Sequence, residues 1–261
     1  VKLFGGAPSH QAMGLAARQG CGLVGVAVVA ARWLRLLAVV PSARQTGIGS
    51  TLLGEAIAAG RAMGEKRLRT GDEPGNYLAP GIDARDGATI AWLERRDFCL
   101  VGENENLTVP LVGNQQVTPT RGEELDRRAT CLGYELRRAE ASDRDGLCLT
   151  IERNFSAAWA YEVARALGGA GVHLALAGGE PVAFAAHDGN NRGLGWFGPA
   201  GTLPSHRGRG LGEALLVRCL IDVANAGHTD GVIAWIGPRA FYERAVGALP
   251  GRRFVVLERA L

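Results

Sequence analysis

Long apolar runs are missing from this 261-residue chain: the longest, Leu23 to Ala31, is strand-sized and far short of a bilayer crossing. No charged-then-apolar leader with a small-residue cleavage site opens it either. Both absences point to a cytoplasmic protein with no membrane partner. Lysine is almost absent, with Lys2 and Lys66 alone among 29 basic residues. An arginine bias of that kind fits a GC-rich bacterial genome as well as any function. The net charge of +3 is too mild to imply nucleic acid as a partner. The five cysteines, Cys21, Cys99, Cys131, Cys148 and Cys219, are an odd and scattered set without metal-ligand or redox spacing. They predict buried reduced thiols and no metal site. What remains, 47% hydrophobic and 21% charged residues, suits a folded chain with room for one large domain or two ordinary ones.

Two stretches show one plan used twice: PSARQTGIGSTLL, residues 41 to 53, and PSHRGRGLGEALL, residues 204 to 216. Pro41, Arg44, Gly47 and Gly49 align with Pro204, Arg207, Gly210 and Gly212. A strand-like run precedes each, Leu34 to Val40 and Leu194 to Leu203, and an amphipathic helix follows. Each copy then has a second short helix, at Ile90 to Arg96 and Ala240 to Ala245, before further strand-like runs at Leu107 to Val112 and Phe254 to Leu257. The first copy carries about 14 extra residues, within the loop GDEPGNYLAPGIDARDG. The polar segment 114–132 reads as a linker between lobes 1–113 and 133–261. In the second lobe a strand is expected at Tyr134 to Arg138, then a helix N-capped by Ser142, then strands His173 to Ala177 and Pro181 to His187. The first lobe has too few residues before its Leu23 to Ala30 strand for an equivalent of Tyr134 to Leu167, so it is expected to be shortened.

Glycine and arginine at the start of a helix have a chemical meaning. A helix N-terminus offers unsatisfied N–H groups and a partial positive charge, which hold an anion without any charged side chain. Glycine permits close backbone approach and positive φ, and arginine adds forked donors for phosphate. The stretch therefore has the chemistry of a pyrophosphate cradle. The lysine and hydroxyl residue of a nucleotide-triphosphate loop are lacking, and the dinucleotide fingerprint fails at Leu52 and Leu215, where its third glycine would stand. Nucleotide or dinucleotide binding is the weaker alternative.

R-x-x-G-x-G after a strand, as Arg44-Gln45-Thr46-Gly47-Ile48-Gly49 and Arg207-Gly208-Arg209-Gly210-Leu211-Gly212, resembles the GNAT superfamily of acetyl-CoA-dependent N-acetyltransferases. WLERRDF (92 to 98) and AFYERAVGA (240 to 248) are similar to the last helix of that superfamily. The resemblance implies an α/β fold with two lobes, each a mixed, partly splayed sheet flanked by helices. It implies that the turn amides grip the pyrophosphate of acetyl-CoA. The pantetheine arm would then lie along Ala38, Val39 and Val40 in one lobe and Gly201, Thr202 and Leu203 in the other. Tyr242 stands where the superfamily often has the acid that protonates the departing thiolate, whereas the first copy has Leu93. The second lobe is therefore the expected catalyst, moving an acetyl group to a primary amine of a small molecule or peptide, as a monomer or homodimer. A non-catalytic acyl-CoA-binding regulator is the alternative.

The general base is not evident. Leu194 to Leu203 contains no acid, which leaves His187, Asp188 and Glu162 as candidates, each more often structural than catalytic. His206 is expected to assist phosphate contacts, and His10, His173 and His228 carry no functional expectation. Trp196, Phe197, Trp235 and Phe241 suit either a packed core or an acceptor pocket. Asn76 and Tyr77, in the extra loop of the first copy, suit either closure over a ligand or ordinary exposed turn positions.

Overall fold

The computed structural model describes residues 2–5, 11–169 and 171–261. In chain order the first elements are β1 (Ala12–Gln19), β2 (Gly22–Ala30), β3 (Trp33–Val39), α1 (Ile48–Ala62), β4 (Arg67–Thr70), β5 (Ile82–Asp83), α2 (Gly87–Glu94) and β6 (Cys99–Pro110). Next come α3 (Pro119–Cys131), β7 (Glu135–Arg138), α4 (Arg144–Asn154), α5 (Ala157–Leu167), β8 (Val172–Ala177) and β9 (Glu180–His187). The chain ends with β10 (Trp196–Thr202), α6 (Leu211–Asn225), β11 (Asp230–Ile233), α7 (Arg239–Val246) and β12 (Leu249–Ala260). Two compact units result, Val1–Asn104 with Arg252–Leu261, and Glu105–Gly251.

In the first unit, β1, β2 and β3 form an antiparallel meander, and β3 runs parallel to β4 after the α1 crossover. The end of β12 pairs antiparallel with β4, placing Glu258 opposite Arg69. Leu52, Leu53, Ala56 and Ile57 recur at helical spacing on α1, and that face closes on Ala27, Val29, Leu34, Leu68 and Leu257. The extra loop is tied inward rather than left on the surface. Arg35 donates to both carboxylate oxygens of buried Glu73, at 2.5 and 2.6 Å, and to the carbonyls of Leu3 and Gly5.

In the second unit the strands lie in the order β6, β11, β10, β9, β8, β7, with β6 contributing Leu107 to Pro110. β10 and β11 are parallel; the other neighbours are antiparallel. One face is covered by α6, whose Leu211, Leu215, Leu216 and Leu220 are at most 1% exposed. Burial of each such side chain stabilises by roughly 2 kcal/mol. The other face is covered by α4 and α5, with Leu147, Ile151 and Val163 against Leu174, Phe184 and Ala186.

Several sequence expectations differ from what forms. The segment 114–132 is not a bare linker: Thr118 caps α3 by accepting from the Arg121 N–H, and Leu125 and Ala129 bury against α6. The units also exchange strand segments along the chain, so residues 252–261 belong to the first unit and 105–113 to the second. Ser142 does not cap α4; Glu140 and Asp143 form a capping box one turn earlier. Of the five cysteines only Cys219 is buried, because Cys21, Cys99 and Cys131 fall at element ends or in turns facing solvent. Before β2 the described residues of the first unit form the strand β1 and no helix.

Candidate active site

The second-unit turn is built from backbone. β10 ends at Thr202, a single 3-10 turn covers Pro204–His206, and Gly210 caps α6 with φ of 80°. Gly208 has φ of 75°, and a side chain at either position would be strained by the left-handed conformation. The first helical bond runs from the Ala214 N–H to the Gly210 carbonyl. The N–H groups of Leu211, Gly212 and Glu213 therefore have no partner within the helix. Arg207 folds back to donate to the Thr202 carbonyl at 3.1 Å. Tyr134, which is 4% exposed, holds the other arms: its hydroxyl accepts from Arg209 at 2.7 Å and lies 2.9 Å from His206 Nδ1.

Beside this turn the sheet opens. β10 and β11 pair only at Trp196–Val232 and Phe197–Ile233. Beyond them the chain following β11 turns to β6, with Ile236 N–H donating to the Glu105 carbonyl and Trp235 N–H to Asn106 Oδ1. β10 bulges between Phe197 and Ala200 and stays on β9, so its other edge is left without a strand. A cavity of about 450 Å³ occupies the gap. Gly201, Thr202, His206 and Arg207 to Glu213 line one end, and Phe184, Phe197, Ala200, Pro238, Phe241 and Tyr242 line the rest. Tyr242 meets the rings of Phe197 and Phe241 edge-on, and burial pushes its phenol above the ordinary tyrosine range. It is thus protonated at neutral pH, and its hydroxyl has no hydrogen bond among the described residues.

The first unit repeats the backbone with different side chains. Gly47 caps α1 at φ 91°, Gln45 takes the left-handed position of Gly208 at φ 62°, and Arg44 donates to the Val39 carbonyl at 3.1 Å. β3 and β4 likewise pair only at Trp33–Arg69 and Leu34–Thr70, in the register of β10 and β11 at one constant offset. Here, however, Arg96 lies 4.0 Å from the Trp92 ring centroid and donates to Ser50 Oγ, in the first turn of α1, at 2.9 Å. A cavity of about 270 Å³ lies in the gap, lined by residues such as Leu36, Leu37, Ile82 and Leu93 and by none of Val39, Val40 or Arg44 to Gly49.

No family model matches the sequence, and no curated protein matches it. Solved structures do match. The glucosamine N-acetyltransferase region of a fungal multi-domain GH3 beta-N-acetylglucosaminidase superposes with a TM-score of 0.75 at 18% identity. The match covers 95% of this chain and 33% of that one, so this chain spans a third of that protein's length. A tandem GNAT protein from the clavulanic acid biosynthesis pathway gives 0.66 at 18% identity, covering 97% and 84% of the two chains. A GCN5-related N-acetyltransferase from Sphaerobacter thermophilus gives 0.62 at 17%, covering 91% and 80%. The chain has a tandem GNAT fold.

Within the second GNAT unit, the expected cofactor-side residues Gly201, Thr202 and Arg207 to Gly212 converge on one cavity with Tyr242, Phe197 and Phe241. Leu203 does not join them, since it packs on the core and donates its N–H to the Val182 carbonyl. Trp196 and Trp235 are likewise outside the lining. The base candidates are engaged elsewhere. His187 Nδ1 lies 3.2 Å from Asp188, and Asp222 on α6 is 3.4 Å from His187, 2.7 Å from His173 and 2.7 Å from Arg138. Glu162 is 5% exposed on α5, away from the lining. In the first GNAT unit Asn76 and Tyr77 are 3% and 7% exposed, and Asn76 donates to the Lys2 and Gly5 carbonyls. They brace the loop internally and do not form a lid. His10 lies outside the described residues. Tyr134 also belongs to the site, and the sequence does not announce it: its only signal there is a tyrosine opening a short strand.

Proposed function

We propose that the second unit is an N-acetyltransferase moving an acetyl group from acetyl-CoA to a primary amine of a small molecule or peptide. The observation that carries this reading is the convergence of an amide-lined turn and a protonated, half-buried tyrosine on one cavity through an opened sheet. The residues fit acetyl-CoA: glycines at positive φ, helix N–H groups without internal acceptors, and a free strand edge. Acetyl-CoA supplies the activated acyl group. Gly208 to Gly212 would hold its diphosphate, with Arg207 and Arg209 adding charge. The open edge of β10 would pair with the amides of the pantetheine arm. Tyr242 would protonate the departing sulfur, a contribution typically worth 10²- to 10⁴-fold in rate.

Release of free CoA thiol in the presence of an amine tests this, and Tyr242→Phe should slow the release by roughly 10²-fold or more while leaving acetyl-CoA affinity unchanged. A second reading, a CoA-binding regulator, is favoured because no unpaired carboxylate lies near Tyr242 among the described residues lining the cavity, and by Leu93 in the first unit. Calorimetric binding of acetyl-CoA without turnover of any amine would select it.

A further inference from the structure

The two ends of the second-unit cavity differ in character. At the turn end sit His206, Arg207, Arg209 and Glu213. His206 is bound to Tyr134, and Glu213 accepts from Arg121 of α3 at 2.6 Å. The other end passes through the sheet, because Phe184 belongs to the core under α4 and α5 while Phe197 and Tyr242 belong to the core under α6. Phe184 is backed there by an aromatic wall. Phe155 meets it at 5.4 Å between centroids and Trp159 at 6.3 Å; Phe155 and Trp159 stack at 5.5 Å, and Trp159 is 36% exposed.

Around this end, acids and imidazoles are committed to other partners. On β9, His187 and Asp188 bind each other, and His187 also faces Asp222. On α7, Glu243 accepts from Arg239, which also binds Glu105 of β6, and Arg244 is exposed. On α5, Glu162 is buried away from the cavity. None of the described residues lining the aromatic end can take a proton from an ammonium ion at neutral pH.

Resting on the acetyltransferase reading, we propose that the acceptor is a weakly basic ring amine, largely unprotonated at neutral pH and carried on a flat or apolar-faced ring. It packs against Phe184, whose ring Phe155 and Trp159 back from outside the cavity. Its nitrogen forms the new bond to the acyl carbon as the carbon–sulfur bond breaks with its electron pair on sulfur. Tyr242 gives the sulfur its proton, and the proton lost by the nitrogen returns to the phenolate through solvent. An amine of lysine type, with a pKa of about 10.4, is neutral in roughly one molecule in 2,500 at pH 7. One resembling an α-amino group, near 7.8, is neutral in about one in seven. The site needs no base for the second kind.

Thiol release from acetyl-CoA should be measured between pH 6 and 9 with 4-methoxyaniline, glucosamine, cyclohexylamine and glycinamide. At pH 7, kcat/KM for at least one of the first two should exceed that for cyclohexylamine by about 100-fold or more. The cyclohexylamine value should climb about tenfold per pH unit, and glycinamide, weakly basic but ringless, should lag. Which of the first two is used tells an aromatic amine from an amino sugar; either supports the proposal. Phe184→Leu, which keeps apolar volume but removes the flat face, should raise KM for the ring amine about tenfold and leave that for acetyl-CoA alone. Fast, pH-independent turnover of cyclohexylamine, parity of glycinamide, or an unmoved KM in Phe184→Leu overturns it. Acetyl-CoA binding with no thiol release from any amine overturns instead the acetyltransferase reading on which it rests.

Discussion

Tyr134 is a hydrogen-bonding partner to two residues of the turn that lie 72 and 75 positions further along the chain. Its hydroxyl fixes Arg209 and His206, so the charge around the turn is arranged before any anion arrives. Tyr134→Phe keeps the ring and removes that tie. It should weaken acetyl-CoA binding by about tenfold, the worth of one hydrogen bond to a charged group, with kcat little changed. Calorimetry and initial rates together check both parts. The imidazoles near Asp222 have a different consequence. Burial opposes charge on His187, but hydrogen bonds to Asp188 and Asp222 outweigh it and raise the ring to about 9. Burial lowers His173 despite the same Asp222. A raised folded pKa adds stability that is complete below pH 6.5 and fades as pH rises toward 9; a lowered one takes stability away as pH falls below 6.5. Stability against urea should therefore peak near pH 6.5 and drop on the order of 2 kcal/mol by pH 8.5. Asp222→Asn should flatten the alkaline limb, and an unchanged limb would show that His187 is not the group responsible. No local pattern announces either cluster, since each joins residues distant in the chain.

At the scale of elements, α1 and α6 were legible because apolar residues recur every third or fourth position, and their entry turns because Gly47, Gly208 and Gly210 are required by positive φ. α3 was not. Its inward face is only Gly122, Leu125 and Ala129, too narrow a stripe among arginines and glutamates to stand out as periodic. The start signals were nonetheless present, with Thr118 as cap and Pro119 at the first position. Arg218 then clamps Asp126 through two bonds of 2.9 and 2.6 Å. Leu125, 3% exposed in the core with Leu215 and Leu216, is the discriminating residue. Leu125→Ala should cost about 2–4 kcal/mol in chemical denaturation, as a buried leucine does. A surface linker would lose almost nothing. A glycine on β10 gives a second element-scale test: a methyl group on Gly201 would fall 2.6 Å from Phe155 and 2.9 Å from Phe184. Gly201→Ala should lower stability by about 1–3 kcal/mol and displace the aromatic wall, raising KM for the acceptor more than for acetyl-CoA.

For the whole molecule, the duplication was readable because both copies place the same proline, arginine and glycines at the same bend, and the left-handed conformation persists even where Gln45 stands in place of a glycine. The allotment of strands to units was not readable. Strand pairing is non-local, and Phe254 to Leu257 reads as the same apolar run whichever sheet receives it. The structure gives Glu258, Arg259 and Ala260 to β4 and Leu257 to the core around Leu34 and Leu68. A chain ending at residue 251 should therefore damage the first unit, although the deleted residues follow the second in sequence. Hydrogen exchange reports this directly: amides of Arg67 to Thr70 should lose most of their protection, because β4 loses the β12 partner on one side and has only two paired positions with β3 on the other. Amides of β8 and β9, paired with each other within the second unit, should keep theirs, and acetyl-CoA binding at the second-unit turn should survive. Loss of protection confined to the second unit would show that the C-terminal strand serves the lobe it follows, and the strand assignment would then be wrong.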